Sequence, residues 1–169
     1  MNQIGSASIE VNSALGNGEL APTPKQTKQL LQSCTASALA DISADDKSAL
    51  RDIIGKVRQS VVSATDIVKA RKNRNRDHIK LLEDQIAKLD SGSGDINTFY
   101  KLFSPAVISC ADAATTFGNA KSLTDQLFAM SIELQYRLKL KRILDGVLAK
   151  EVGDAQQTVA DLDNILLLL

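Results

Sequence analysis

The sequence predicts an all-α fold: an elongated, coiled-coil-like helical bundle with two long helices and two shorter ones. Three observations carry this. Apolar residues keep a seven-residue beat from Asp45 to Leu89. The composition is that of long helices, dominated by Ala, Leu, Ile, Asp, Lys and Ser, with nine Gly and three Pro among 169 residues. Period-two alternation is missing and β-branched runs are short, so no strand is predicted.

Residues 1–24 read as a disordered polar leader, closed by Pro22 and Pro24, and residues 25–169 as a single helical-bundle domain. The first short helix is expected over about 25–40, with Leu30, Leu31, Cys34, Ala38 and Ile42 on one side. Ser43 then offers an N-cap, and Asp45 and Asp46 occupy a first turn where carboxylates favour the helix dipole. The helix that follows is expected over about 44–90, until Ser91-Gly92-Ser93-Gly94 breaks it. At 1.5 Å per residue it is roughly 70 Å long. Its heptad places Ile54, Val61, Val68, Asn75, Leu82 and Leu89 at a, and Leu50, Val57, Ala64, Arg71, His78 and Gln85 at d. A second short helix is expected over about 96–117, its regular part starting near Ser104 because Pro105 suits a first turn. Gly118-Asn119 breaks it. The second long helix is expected over about 120–167, with a leucine-rich stripe from Leu123 to Leu166.

Charge is patterned locally rather than globally. Twenty acidic residues balance twenty basic ones, which gives no net field toward nucleic acid or an anionic membrane. The first long helix nevertheless has a basic waist of Lys69, Arg71, Lys72, Arg74, Arg76 and Lys80, with His78. The second has its own in Arg137, Lys139, Lys141 and Arg142, followed by an acidic stretch from Asp145 to Asp163. An in-register antiparallel pairing would set residues 69–80 beside 131–142, cation against cation. That is unfavourable by a few tenths of a kcal/mol per exposed pair, about the size of helix-surface charge effects. A staggered or parallel arrangement would instead bring the first waist toward the acidic stretch; alternatively the basic blocks face solvent, an anionic partner or the channel of an assembly.

Several function classes lose ground here. The single His excludes a His-ligated metal cluster and leaves no Ser/His/Asp or Cys/His set to assemble; an enzyme is not expected, and no cofactor. Cys34 and Cys110 are far apart and lack metal-ligand spacing; both sit in apolar helical patterns, which reads as two buried thiols, with a disulfide between them left open. The basic stretch Ala70 to Arg76, with Leu82 and Leu89 beyond it, has the look of a basic-zipper DNA reader. Apolar heptads flank it on both sides, however, so nucleic acid is disfavoured as a partner. No segment approaches the roughly 18 apolar residues of a membrane span. The apolar run Ile165 to Leu169 suggests burial, either within the bundle or in a subunit interface.

Three segments give the chain a resemblance to bacterial type III secretion substrates that build extracellular parts: filament, needle-tip and inner-rod subunits. The leader Met1 to Pro24 lacks Lys and Arg, like uncleaved export leaders. Lys69-Ala70-Arg71 through Ile86-Ala87-Lys88-Leu89, running into a Ser/Gly loop, resembles the first long helix of filament subunits. Ile132-Glu133-Leu134-Gln135-Tyr136 resembles part of the polymerising C-terminal helix of rod and filament subunits. The resemblance implies a self-associating, non-enzymatic protein secreted without a Sec signal peptide; otherwise the expected place is the cytoplasm.

The expected function is therefore structural: association through long amphipathic helices, with itself in a homo-oligomer or with other protein subunits. The alternative is a soluble helical adaptor, chaperone or effector, with a helical pore-forming toxin component behind it. The candidate interface is Ile54, Val61, Val68, Leu82, Leu127, Leu134, Leu148, Val152 and Leu162. The candidate charged patch, for register or partner choice, is Arg71, Arg74, Arg76, Arg137 and Lys141.

Overall fold

The structure is a computed structural model that describes residues 22–95, 97 and 108–169. The described residues form helices α1 (Pro24–Ser33), α2 (Ala36–Ala40), α3 (Ala44–Asp90), α4 (Ala111–Gly118) and α5 (Leu123–Leu168), and no strand. The all-α class and the two long helices are as the sequence predicts. Of the predicted leader, residues 1–21 lie outside the described residues. So does the predicted aromatic turn at Phe99, Tyr100 and Phe103, with the start near Ser104. The helix expected to run on to 117 does not do so continuously: residues 108–110 are non-helical, Cys110 is extended at ψ 123°, and α4 begins only at Ala111.

Local sequence sets most of the helix ends. Thr23 caps α1 in a reciprocal box: its Oγ1 accepts from the Gln26 N–H at 3.3 Å, and its own N–H donates to Gln26 Oε1 at 2.7 Å. The single helix expected over 25–40 is instead two. Cys34 leaves helical geometry at ψ 58°, and Thr35 is extended, its Oγ1 accepting from the Ala38 N–H at 3.3 Å. A threonine that offers its oxygen to the following turn competes with helix continuation. Ser43 caps α3 as predicted, accepting from the Asp46 N–H at 3.1 Å. At its far end Gly92 takes φ 70°, Ser93 N–H donates to Lys88 O and Gly92 N–H to Leu89 O, both at 3.0 Å. That is a Schellman stop, which needs a glycine in the left-handed region. Ser122 and Asp125 box the start of α5: Ser122 Oγ accepts from the Asp125 N–H, and Asp125 Oδ2 from the N–H groups of Lys121 and Ser122.

The described chain divides into two compact units, with α3 and α5 contributing to both. In the first unit (residues up to Ala70, and Lys150–Leu169), α1, α2 and the first part of α3 enclose the last part of α5. Its core is Leu30, Cys34, Leu39, Leu50, Ile54, Val57, Leu162 and Ile165. Each such aliphatic contributes about 1.5–3 kcal/mol by leaving water. Arg58 forks onto Asp163, Nε to Oδ1 at 2.5 Å and Nη2 to Oδ2 at 3.2 Å, beside this core. In the second unit (Arg71–Ala149), Leu82 packs with Met130, Leu134 and Leu138, flanked by Ile79, Ile86, Leu89, Phe117 and Leu127. Within each unit the α3 and α5 segments run antiparallel, since later residues of α3 meet earlier residues of α5.

The heptad of α3 holds at a but not throughout d. Ile54, Asn75 and Leu82 are buried, and Val61, Val68 and Leu89 half-buried. At d, Leu50, Val57 and Gln85 are buried, whereas Ala64, Arg71 and His78 are exposed. Their places go to Thr65, Lys72 and Ile79, one residue further on. The inward-facing series Val57, Val61, Thr65 steps twice by four, a stutter that resets the seam. A straight α-helix drifts about 20° per heptad against a strict seven-residue repeat, and this step absorbs the drift. It also removes Arg71 and His78 from the seam, so the basic waist is not buried as the heptad implied.

Candidate functional site: a paired waist and an exposed apolar stripe

In the second unit the two waists are offset from the in-register pairing and meet only at their ends, around His78 and Lys141. Arg76 Nε lies 3.4 Å from Asp145 Oδ1, and Arg142 Nη2 donates to Glu83 Oε1 at 2.8 Å. Arg76 therefore meets a residue about three turns beyond its in-register position. The stagger sets each waist against carboxylate. Arg142–Glu83 is largely exposed and worth under about 1 kcal/mol; in the other pair Arg76 is exposed, whereas Asp145 is half-buried and its Oδ1 has no hydrogen bond.

Asn75 fixes that register from inside the seam. It is buried, and its Nδ2 donates to the backbone O of Lys141 at 2.9 Å. Its Oδ1 is buried without a hydrogen-bond partner. A polar residue at one a position costs stability, and only a register that supplies its partner recovers part of that cost. Beside it the Lys141 ammonium donates to His78 Nδ1 at 3.4 Å.

A buried carboxylate organises the other side of this unit. Glu133 on α5 is 1% exposed. Oε1 and Oε2 accept from the Ser109 N–H at 3.0 and 3.1 Å, Oε2 from the Cys110 N–H at 2.8 Å, and Oε1 from Arg137 Nε at 2.6 Å. Cys110 is the N-cap residue of α4 and has no side-chain cap of its own. Glu133 thus caps α4 from a neighbouring helix and meets the positive end of its dipole. Burial pushes its pKa up. The Ser109 N–H, the Arg137 and Cys110 hydrogen bonds and the Arg137 charge outweigh that and hold the carboxyl below the ordinary range.

The predicted residues divide between these environments. Ile54 and Leu162 are in the core of the first unit, with Val61 packed against it; Val68 and Val152 are half-buried there. Leu82 and Leu134 are in the core of the second, with Leu127 against it and Leu148 buried in the same unit. Of the patch, Arg76, Arg137 and Lys141 are engaged as described. Arg71 and Arg74 are exposed and form no ion pair among the described residues. Cys34 is a buried free thiol whose burial pushes its pKa up to about 11, and Cys110 is a half-buried free thiol. Among the described residues no His, Cys, Asp or Glu cluster could hold a metal ion, and no helix is long and apolar enough to cross a membrane.

One feature went unread in the sequence. On α5, Tyr136, Leu140, Ile143 and Val147 are 36%, 46%, 57% and 51% exposed. Their 4-3-4 spacing makes them a second apolar stripe on a helix that already buries Leu134, Leu138 and Leu148. Lys139 and Arg142 border it, lining a shallow groove with Gln135, Leu138 and Ile143. The signal was present as a helix apolar on two faces, but a leucine count along one stripe conceals it.

No family model, curated protein or solved structure matches this chain.

Proposed function

We propose that this chain is a non-enzymatic structural or assembly protein that works by helix–helix association, with further copies of itself or with partner subunits. The observation that supports the reading is the stripe Tyr136, Leu140, Ile143 and Val147, apolar, regularly spaced and exposed. A helix with two apolar faces has a use for a second packing partner. The likeness of its leader and long helices to type III export substrates supports a place as a secreted subunit of a secretion system or surface filament. Light scattering across concentration, with electron micrographs of the same samples, tests this. Growing mass or filaments, lost on replacing Leu140 and Ile143 by Glu, is the expected result. Association that ignores those replacements overturns the role of the stripe.

A soluble adaptor, chaperone or effector is the second reading. The unpaired Arg71 and Arg74 on α3 favour it, since exposed guanidinium groups suit an acidic partner. It predicts a protein of constant mass that captures one partner through the same surfaces. Charge reversal at Arg71 and Arg74 then weakens capture.

A further inference from the structure

We infer that the Tyr136–Leu140–Ile143–Val147 stripe is a self-pairing face. Two copies of this chain meet stripe to stripe about a two-fold axis that runs along α5, so that each of these residues packs on its own counterpart. The inference rests on the proposed associative function and names the occupant of the stripe and its orientation. All four residues lie in the second unit, opposite the face of α5 that holds Leu134 and Leu138 against Leu82.

The two borders of the stripe differ, and the difference points to a second copy. At 3.6 residues per turn, Lys139 lies roughly 70° round the helix on one side of the stripe and Leu144 roughly 70° on the other. Arg142 lies further out on the Lys139 side, where the two line the shallow groove. Lys139 and Arg142 are exposed, and Leu144 is half-buried. The stripe thus has one basic border and one apolar border. Glu83 already engages Arg142, so the face suits apolar cover better than an acidic partner. Rotation about an axis along the helices sets the basic border of each copy against the apolar border of the other. The Lys139 methylenes then cover Leu144 of the second copy while the ammonium stays in water. The cations of the two copies end on opposite sides of the contact. The antiparallel alternative, about an axis across the helices, joins basic border to basic border. It sets Lys139 beside Gly146, which offers no side chain to cover its stem, and gathers the cations of both copies on one side. Like charges along one rim oppose that arrangement. The parallel contact is isologous and closes at two copies. Four half-exposed side chains a copy are far fewer than the roughly 20–30 residues a side of a stable interface, so the pair is weak and reversible.

Cysteine cross-linking tests the orientation, and mass tests the closure. Tyr136→Cys and Val147→Cys are made singly in the full chain with Cys110 replaced by Ser, Cys34 being buried. Both positions are exposed, and circular dichroism checks that each variant is folded. In the inferred pair each new cysteine lies opposite itself, so mild oxidation of either variant alone is expected to give a disulfide dimer. In the antiparallel pair the two copies of position 136 lie roughly 16 Å apart, beyond the ~7 Å reach of a disulfide. Cross-linking only when the two variants are mixed therefore overturns the inference. Light scattering from the wild type is expected to rise with concentration and level off at two copies. Leu140→Glu with Ile143→Glu is expected to raise the dissociation constant by about tenfold or more. Mass that grows past two copies overturns the two-fold contact and leaves the associative function standing. A wild type that stays monomeric at every concentration overturns the inference as well. Binding of a different protein, lost in Leu140→Glu with Ile143→Glu, would then leave the associative function standing, and binding of phosphatidylserine vesicles alone would not.

Discussion

Replacing Glu133 by Gln removes one negative charge from a site that holds three donors. The carboxylate accepts from the N–H groups of Ser109 and Cys110 and from Arg137, at 2.6–3.1 Å, while 1% exposed. An amide has one acceptor oxygen and turns an NH₂ toward a donor. At least one N–H loses its acceptor, and the other bonds lose charge assistance. A hydrogen bond to a charged group contributes about 1.5–3 kcal/mol, so losing one and weakening the rest costs about 2–4 kcal/mol. For a chain of this size that lowers the thermal midpoint by roughly 5–10 °C. Urea unfolding measures the loss, and hydrogen exchange at the Ser109 and Cys110 amides reports whether it is local. The pH dependence sharpens the test. Because the Glu133 pKa is lowered on folding, its contribution is complete above the ordinary carboxylate range. It disappears as pH falls through the lowered value, so wild type and variant converge in acid. A loss below about 0.5 kcal/mol, the noise of surface substitutions, or a gap that persists in acid, would refute the cap.

Other outcomes follow from the same contacts. Asn75→Leu removes a buried oxygen without a partner and is expected to raise stability by about 1–2 kcal/mol, read by urea unfolding, while loosening register. Engineered cysteines in place of Arg76 and Asp145, in a background with Cys34 and Cys110 replaced by Ser, are expected to cross-link, and cysteines at Arg76 and Gln135 are not; the reverse would restore the in-register pairing. Arg71→Glu with Arg74→Glu is expected to leave unfolding within about 0.5 kcal/mol of wild type, because both side chains are exposed and unpaired. Alkylation near pH 8 should modify Cys110 well before Cys34, which is buried and has its thiol pushed up to about 11. Equal rates would show an open first unit.

Features written in short stretches of sequence were legible. Ser43 and the Ser91–Gly94 breaker bound α3 as read, and the a positions of its heptad are the inner ones throughout. The d positions Ala64, Arg71 and His78 failed because a seven-residue template cannot register helical drift; burial of Thr65 in place of Ala64 exposes the stutter. The division of the first helix turned on Thr35, whose apolar neighbours suggested continuation and whose hydroxyl caps instead. The Glu133 cap joins groups 23 and 24 residues apart and has no local signature beyond a lone acid among apolar neighbours. Mutual cation repulsion correctly disfavoured in-register pairing, but the size of the stagger is set by Asn75 and by apolar packing, which charge counting does not see.

The central claim is that Leu134 and its neighbours pack within one chain, whereas the face carrying Ile143 packs between chains. A photo-cross-linking residue placed at position 134 or at position 143, in otherwise wild-type protein at assembling concentration, tests it directly. Cross-links within one chain from position 134 and between chains from position 143 are predicted. Cross-links between chains from position 134, with none from position 143, would contradict it.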